Sequence, residues 1–319
     1  MENILISNYG YKLSIKSERL VVKDNDKTVK EIALSHVNSI IITTSGTSIS
    51  TDLIFELLAR NINVYFDKRN IFGVLSADAK SSSALIRKAQ YEKFSSKNSV
   101  ELAKEIILSK IANQKEVVKY FTTKIYNNNF KKDYLTKINK LIDNIKISKS
   151  NDISTYRGYE GVAASYYFNV LKNLSLLPSS FEKRTHQNST EITNICLNYG
   201  YAILTNIIHD CVLKSGLDAY FGVIHTFNKD RISFVLDILE EYRAVIVDKA
   251  IIKNRNKISK AKDFNEIKSL IANSVLSNIY DKYNYEDNRL NIVEIIGKQL
   301  DKIKSYVFNN KKYYSYKVC

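Results

Sequence analysis

The chain has 319 residues, a formal net charge of +15 at pH 7, 45% hydrophobic residues and 25% charged residues. This length allows two domains, and the composition is that of an ordinary globular protein. No apolar run reaches the roughly 18 residues that a membrane helix needs, and the N-terminus lacks a signal-peptide pattern, so we expect a soluble, cytoplasmic protein with no membrane partner. Cys196, Cys211 and Cys319 lack metal-type spacing, which is typical of a reducing compartment.

Positive charge is concentrated in the C-terminal three quarters of the chain. Residues 1–75 contain nine Lys or Arg and eight Asp or Glu, a balance of +1, which leaves +14 for residues 76–319. A basic balance confined to one part of a chain favours a polyanionic partner, most commonly nucleic acid. The alternative is a bias in base composition, because lysine far exceeds arginine and Asn, Ile and Tyr are also abundant.

The first 75 residues predict a small β-rich domain with one helix. The predicted strands are Asn3–Ser7, Tyr11–Lys16, Leu20–Lys23, Thr28–Leu34, Ser39–Thr44, Asn63–Phe66 and Phe72–Leu75. A helix with Leu53 and Leu57 on one side is predicted after Ser48 or Ser50, either of which can cap its N-terminus. This domain holds no catalytic pattern, so we expect a structural role such as subunit contact.

The remainder of the chain has helical periodicity. Residues 76–83, SADAKSSS, are small and polar, which predicts a linker. The predicted helices are Ala84–Phe94, Val100–Tyr126, Tyr134–Lys146, Ile153–Leu174, Glu191–Ser215, Ser233–Lys249, Asn265–Tyr280 and Asn291–Val307. The predicted fold is therefore α+β, with a β-rich domain at residues 1–75, a linker at 76–83 and a larger all-α domain at 84–319.

The stretch Gly216–Lys249 combines a histidine with a cluster of carboxylates. His225 precedes a polar turn, and the following helix carries Asp237 and Glu240, which share a face because they are three residues apart. Imidazole and carboxylate groups together can ligate a hard divalent metal. The alternative interpretation is a partly buried histidine beside a solvated acidic helix face.

A second candidate is Glu160, which lies in a run of small residues. Gly158, Gly161 and Ala164 recur every third residue, so one helix face lacks bulk beside the glutamate. Because glycine destabilises a helix interior by about 1 kcal/mol relative to alanine, two of them around one glutamate indicate a specific need. That need is either the close approach of a ligand to Glu160 as a metal ligand, or a helix-packing groove.

Other polar groups are weaker candidates. Asn194 and Asn198 form an i,i+4 pair that can hold a phosphate or make helix contacts, and we favour helix contacts. His209 lies in an apolar helix, which favours a core position. The basic runs Lys253–Lys262 and Lys302–Tyr316 suit a nucleic-acid surface or a solvated face. The motifs GxGxxG, GxxxxGK[ST], HExxH and GxSxG are absent from the sequence.

Five segments in this order resemble the CRISPR-associated adaptation integrases, the larger, catalytic subunit of the complex that captures new spacers. They are Arg87–Gln90 (RKAQ), Lys110–Gln114 (KIANQ), Tyr159–Gly161 (YEG), Asn194–Leu204, and the run from Gly216 with its histidine and DxxEExR. The resemblance extends through nearly the whole chain. It departs from the family pattern at Ala244, where many relatives have proline, and in the turn Asn228–Arg231.

The resemblance implies a site with a Mg²⁺ or Mn²⁺ ion. Glu160 matches the family's glutamate, His225 its histidine and Glu240 its acidic ligand, and these three residues are also the expected catalytic residues. Asp237 matches the first acidic position of the motif, and is expected to orient the site or to be a further ligand. Oxygen ligands with one imidazole suit both ions.

The resemblance also implies the activity and its partners. The expected reaction joins the 3′-hydroxyl ends of captured DNA, a short duplex, to a repeat array by transesterification. The expected assembly is a homodimer formed through the β-rich domains, with a small second adaptation subunit bridging two dimers. Arg157, Arg231 and Arg243 are candidates for phosphate contacts, although Arg243 is equally placed to pair with Glu240. The alternative hypotheses are a metal-dependent, structure-selective DNA or RNA nuclease acting on branched intermediates, and a non-catalytic nucleic-acid-binding scaffold.

Overall fold

The computed structural model describes residues 2–68, 71–77, 82–97, 99–125, 128–185, 189–225 and 231–318. The chain divides into two compact units, Met1–Ser81 and Ser82–Cys319. Of the predicted linker, residues 78–81 lie outside the described residues, and the first helix of the second unit begins within it, at Ser82. No helix in the described part of the chain is long and apolar enough to cross a membrane.

The N-terminal unit contains two four-stranded sheets and one α-helix. Its elements are β1 (Glu2–Ile6), β2 (Tyr11–Lys16), β3 (Arg19–Asp24), β4 (Lys27–Ala33), a 3₁₀ turn (Leu34–His36), β5 (Val37–Ile42), β6 (Ser48–Ile49), α1 (Thr51–Ala59), β7 (Asn63–Lys68) and β8 (Ile71–Leu75). One sheet has the order β1-β5-β7-β8, with β1, β5 and β7 parallel to one another and β8 antiparallel to β7. The other has the order β4-β3-β2-β6, in which β6 pairs parallel to β2.

Aliphatic side chains from both sheets and α1 form the core of this unit. Ile40, Val64 and Leu57 are fully buried, and Ile4, Leu13 and Leu20 pack in the same cluster. Ser50 caps α1 through a hydrogen bond from the backbone N–H of Leu53 to its Oγ (3.4 Å), so Ser50 rather than Ser48 is the cap. The seven predicted strands are confirmed to within a few residues, whereas the two-residue strand β6 was not predicted because it is too short to show a period.

The C-terminal unit is a helical assembly with one small hairpin. Its elements are α2 (Ser82–Phe94), α3 (Ser99–Phe121), α4 (Asn129–Ile147), α5 (Ile153–Asn173), α6 (Ile192–Ser215), α7 (Ser233–Arg243), a π-helical turn (Ala244–Asp248), α8 (Lys249–Ile258), α9 (Phe264–Tyr280), β9 (Tyr283–Tyr285), β10 (Asn288–Leu290) and α10 (Ile292–Asn309). Helix α3 packs against α4, α5 and α7, and α6 packs against α7, α9 and α10. The α+β class is therefore confirmed.

Two features of this unit differ from the prediction. The sixth predicted helix ends at Lys249, but helical structure continues through the π turn into α8, so most of the basic run Lys253–Lys262 is helical. The apolar residues of the π turn are all buried. The turn is wider than an α-helix, and sequence periodicity does not reveal this difference. The hairpin β9–β10 was also not predicted, because three-residue strands carry too little alternation.

Candidate active site

Two glutamates from different helices converge on one lysine. Glu160 on α5 and Glu240 on α7 both pair with the ammonium group of Lys110 on α3, which lies 2.7 Å from Glu240 Oε2 and also contacts Glu160 Oε1. The side chains of Lys110 and Glu240 are only 8% and 4% exposed, and that of Glu160 is 22% exposed. The packing of α3 between α5 and α7 therefore brings together two carboxylates separated by 80 residues of sequence.

Cationic neighbours keep Glu240 ionised. Burial by itself would raise the pKa of this carboxyl, but the nearby Arg243 and Lys110 outweigh it and lower the pKa to about 2. Nη1 of Arg243 donates to Glu240 Oε1 over 2.8 Å, and its guanidinium lies 4.2 Å from the ring centre of Tyr201. Arg243, which was a candidate for a phosphate contact, thus makes the ion pair with Glu240 that was its alternative role.

His225 is positioned by Asp237 and lies close to the carboxylate pair. Its Nδ1 is 2.7 Å from Asp237 Oδ1, and its Nε2 is 4.0 Å from Glu240 Oε1. Asp237 is fully buried and also accepts the backbone N–H groups of Val223, Ile224 and His225. A carboxylate that accepts Nδ1–H fixes the tautomer in which the Nε2 lone pair can bind a metal. Asp237 therefore has the contacts of an orienting residue, with both of its oxygens already bonded to the loop.

The loop carrying His225 is held from two sides. Gly222 lies against the start of α7, where an added Cβ would stand 2.6 Å from Asp237 Oδ2 and 2.8 Å from the carbonyl carbon of Ser233. From α2, the buried Gln90 donates to the carbonyl oxygens of Asp218 and Phe221 and accepts the N–H of Asp218. Gln90 belongs to the RKAQ segment, so this segment supports the site without entering it.

The site offers two carboxylates and one imidazole nitrogen as donors for a divalent metal. In the described part of the chain, no three His, Cys, Asp or Glu side chains form a ready ligand cluster. The Lys110 ammonium pairs with both glutamates. Glu240 Oε2 is buried and, despite the nearby ammonium, has no partner in hydrogen-bonding geometry. Two carboxylates and one imidazole nitrogen are ligands that Mg²⁺ and Mn²⁺ accept. The residues present fit such an ion once the ammonium is elsewhere.

The small-residue face of α5 is open to solvent. An added Cβ at Gly158 or Gly161 would meet no atom within 4 Å, and both residues are exposed. The helix-packing interpretation of this pattern is therefore wrong. The exposed Arg157 borders an open depression of about 460 Å³ on this face, together with Glu160. Because the two glycines have no side chains, a ligand backbone can approach Glu160 closely from this side.

A chamber of about 600 Å³ adjoins the carboxylate pair. Its walls include five cationic side chains, from Lys110, Lys172, Lys183, Arg184 and Arg243, and three acidic ones, from Glu160, Glu182 and Asp248. Arg184 donates to Asn194 Oδ1 over 2.9 Å and to Asn198 Oδ1 over 2.6 Å. The two asparagines thus make intramolecular contacts, as favoured from the sequence, and their effect is to orient an arginine into the chamber. This concentration of positive charge suits a phosphate backbone.

Of the other predicted phosphate contacts, Arg231 is exposed immediately before α7, while residues 228–230 of its turn lie outside the described residues. His209 is buried within α6, as predicted.

The roles of Lys110 and Arg184 were not predicted from the sequence. A signal for Lys110 was present, because a single lysine interrupts the apolar sequence IILSKI in α3. Arg184 offered no such signal, since its partners lie 10 and 14 residues away on another element.

Comparison with known proteins places these features in a family. A family model described as CRISPR associated protein Cas1 matches residues 4–283. A CRISPR-associated endonuclease Cas1 of Francisella tularensis subsp. novicida is 31% identical over 320 residues, which cover 99% of this chain and 99% of the relative.

Solved structures share the fold. A casposase bound to integration product superposes with a TM-score of 0.83 and 20% identity, covering 99% of this chain and 93% of that one. A chain of a Cas6-RT-Cas1–Cas2 complex has a TM-score of 0.77 and 18% identity, covering 99% of this chain and 36% of that one. At these identities the likeness concerns the fold alone. The resemblance on which the sequence interpretation depended is nevertheless confirmed by the family match.

Proposed function

The chain belongs to the CRISPR-associated Cas1 family, and we propose that it is a metal-dependent DNA integrase that joins 3′-hydroxyl ends to a repeat array by transesterification. The observation that carries this proposal is the convergence of Glu160, Glu240 and His225 beside a cationic chamber. The wider family includes proteins named as endonucleases, and the casposase whose fold is shared was captured with an integration product.

Glu160, Glu240 and His225 Nε2 would hold Mg²⁺ or Mn²⁺. When bound, such an ion supplies Lewis-acid stabilisation of the negative charge that develops on the phosphate oxygens during displacement. Asp237 keeps the imidazole in the tautomer with a free Nε2, and Arg243 keeps the Glu240 carboxylate ionised and in place. Because Asp237 is buried and Arg243 is mostly enclosed, these groups hold the ligands in position before DNA arrives.

The reaction exchanges one phosphodiester for another. The 3′-oxygen of the incoming strand forms a bond to phosphorus at the repeat, the original P–O3′ bond breaks, and the proton of the attacking hydroxyl is transferred to the leaving oxygen through solvent. The number of phosphodiester bonds is conserved, so no nucleotide hydrolysis is needed. Lys172, Lys183 and Arg184 line the chamber as phosphate-binding cations, and the open Gly158–Gly161 face admits the second strand.

A strand-transfer assay tests this function. The full chain, with and without the small second adaptation subunit from the same genome, is incubated with a short duplex and a supercoiled plasmid that carries the repeat. We expect joined product in Mg²⁺ or Mn²⁺, none in EDTA, and none with a duplex ending in a 3′-dideoxynucleotide. Substituting Glu160→Gln, Glu240→Gln or His225→Ala should lower the rate by roughly a hundredfold or more, because each removes one of three expected ligands.

The matched control is Glu182→Gln, since Glu182 borders the same chamber but is exposed. Its rate should stay close to that of the wild type. Cleavage of branched DNA without any joining would favour the structure-selective nuclease instead. Binding that survives EDTA, with no reaction in either metal, would favour the non-catalytic scaffold.

The proposed assembly is a homodimer formed through the N-terminal units, with two dimers bridged by the small second subunit. Support for a second subunit comes from the Cas6-RT-Cas1–Cas2 complex, one chain of which shares the fold. The edge strand β4, whose first five residues are exposed, adds an unpaired sheet edge in the N-terminal unit. In sedimentation, the full chain by itself should have the mass of a dimer. A larger complex should form when the second subunit is added.

A further inference from the structure

Lys110 occupies the space that the proposed function assigns to a divalent cation. Its ammonium group pairs with both Glu160 and Glu240, and the residue is 6% exposed. Asp237 bonds to His225 Nδ1, and His225 Nε2 lies 4.0 Å from Glu240 Oε1. The lysine is therefore the direct link between α5 and α7 at the site.

Two carboxylates held close together, Glu240 buried and Glu160 half-buried, require compensating charge. Without it, desolvation and mutual repulsion would separate them or force one to bind a proton. The Lys110 ammonium supplies that charge when no metal is bound. An ammonium and a divalent ion cannot both sit between the same two carboxylate oxygens, because they would occupy the same volume and repel each other.

We propose that Lys110 is a displaceable counter-ion, which holds Glu160 and Glu240 in place before a divalent ion binds and moves into the chamber when it does. This inference depends on the proposed metal site. The chamber gives the ammonium a destination, since Lys110 already forms part of its wall and the space is about 600 Å³. The four-carbon lysine stem allows such a movement without a change in the backbone.

The exchange links ion binding to capture of nucleic acid. After it, the carboxylates are neutralised by the divalent ion, and the ammonium faces the same space as Lys172 and Arg184. The chamber then carries more positive charge toward a phosphate than it did before. Lys110 is thus a positioning residue for the glutamates in one state and a phosphate-binding residue in the other.

Amine labelling of the wild-type protein tests the displacement. An acylating reagent is applied with and without saturating Mn²⁺, and the reactivity of each lysine is read by mass spectrometry. We expect Lys110 to be protected without metal and to become several-fold more reactive with Mn²⁺. The control is Lys104 on the same helix, whose ammonium donates to the carbonyl oxygens of Lys146 and Ser148 and should not respond. Protection of Lys110 that is unchanged by bound Mn²⁺ would overturn the proposal.

Calorimetric titration with Mn²⁺ tests the competition. Lys110→Met and the milder Lys110→Gln should each bind Mn²⁺ about tenfold more tightly than the wild type, because the competing charge is gone. Lys119→Met, which removes an exposed lysine of the same helix that pairs with Glu116 and does not line the chamber, should leave the affinity unchanged. Because Lys110→Met removes the cation shared by the two glutamates and leaves only Arg243 beside Glu240, Lys110→Gln and the labelling measurement decide the matter if the methionine variant does not fold.

The outcomes separate this inference from the proposed function. Unchanged or weaker Mn²⁺ binding by the Lys110 variants, with weaker binding by Glu160→Gln, would overturn the displacement and leave the metal site standing. Absence of Mn²⁺ binding to the wild type, or binding that does not depend on Glu160, would overturn the metal site itself.

Discussion

The two units of this protein differ most in what they bury. In the described residues of the N-terminal unit, the buried polar side chains are Asn3, Ser39 and Asn63, none of them charged. The C-terminal unit buries charged residues throughout the contact between α3, α6 and α7. They are Lys110, Asp210, Asp237, Glu240, Glu241 and Asp248.

This difference separates an interior without buried charge from the interior that contains the candidate site. Replacing buried ionic groups with apolar ones is often neutral or stabilising, so such groups are weak contributors to stability. The C-terminal unit nevertheless keeps several of them in side-chain hydrogen-bond networks. Asp248 in the π turn, for example, accepts from Tyr201 and, over 3.0 Å, from Tyr167. We interpret the polar interior as the structure that holds the site residues in fixed positions.

Among substitutions that test this difference between the two units, the largest effect on stability and Mn²⁺ binding is expected at Asp237. Asp237→Asn should lower the free energy of unfolding by about 3 kcal/mol, because a buried carboxylate loses charge-assisted hydrogen bonds to three N–H groups and His225. It should also weaken Mn²⁺ binding by roughly 10- to 100-fold, as expected when a group that orients a ligand is lost. Denaturant unfolding and calorimetry measure the two effects.

The matched change in the N-terminal unit is Asn3→Ala. Asn3 Oδ1 accepts neutral hydrogen bonds of 2.8 Å from Asn38 and from Ser39. Its loss should destabilise the protein by about 1–2 kcal/mol and leave Mn²⁺ affinity unchanged. Equal effects of the two substitutions on Mn²⁺ binding would remove the functional distinction between the two interiors.

The next effect is a loss of stability in acid caused by His209. Burial lowers the pKa of this imidazole to about 4, below its value near 6.5 in an unfolded chain. The folded state therefore resists protonation, so its contribution is present above pH 6.5 and is lost as the pH falls toward 4. Over this window the free energy of unfolding should drop by about 3 kcal/mol through His209, an upper value because local relaxation reduces it.

Denaturant titrations of His209→Phe at pH 7 and pH 4 should show a smaller drop than the wild type. Substituting the exposed His36 of the N-terminal unit with glutamine is the control and should leave the drop unchanged. An identical acid dependence in wild type and His209→Phe would show that burial of this imidazole is not coupled to folding.

The smallest expected effects are the stability changes on alanine substitution at two glycines, which should have opposite signs. Gly161→Ala should stabilise the protein by about 0.5–1 kcal/mol, because alanine favours a helix and its Cβ meets no atom within 4 Å. Gly46→Ala should instead destabilise it, since Gly46 has φ +74° and an added Cβ would lie 2.5 Å from the Tyr9 ring. Thermal unfolding distinguishes the two signs.

Strand-transfer activity tests whether the open face at Gly161 is used by DNA. Gly161→Leu should keep the fold but strongly reduce strand transfer, because a large side chain would block the open face beside Glu160. Full activity of a folded Gly161→Leu variant would mean that DNA does not approach along this face.

Much of this molecule could be predicted from local sequence, and the rest depends on long-range packing. Strand alternation and helical periodicity are local properties, so β2 was predicted at its observed bounds and most helices within a few residues. Glu160, His225 and Glu240 were candidates from local residue patterns, and the resemblance singled them out as the ligand set. Their mutual proximity became visible only when α3, α5 and α7 were packed.

Asp237 and Glu240 illustrate what the sequence could not resolve. Their three-residue spacing predicts one helix face for both, which made both candidates for the metal. In the structure the returning loop at Val223–His225 saturates the Asp237 carboxylate, whereas Glu240 faces Lys110 and Arg243. The path of this loop is set by tertiary contacts such as those of Gln90. Such contacts cannot be inferred from the spacing of residues in the sequence.

The most direct measurement is a crystal structure of the protein soaked with Mn²⁺, with anomalous scattering used to locate the ion. We expect one strong peak bonded to the carboxylates of Glu160 and Glu240 and to His225 Nε2 at about 2.0–2.3 Å, with the Lys110 ammonium moved into the chamber. A peak elsewhere, or a fully occupied Lys110 bridge between the two glutamates at saturating Mn²⁺, would contradict the account.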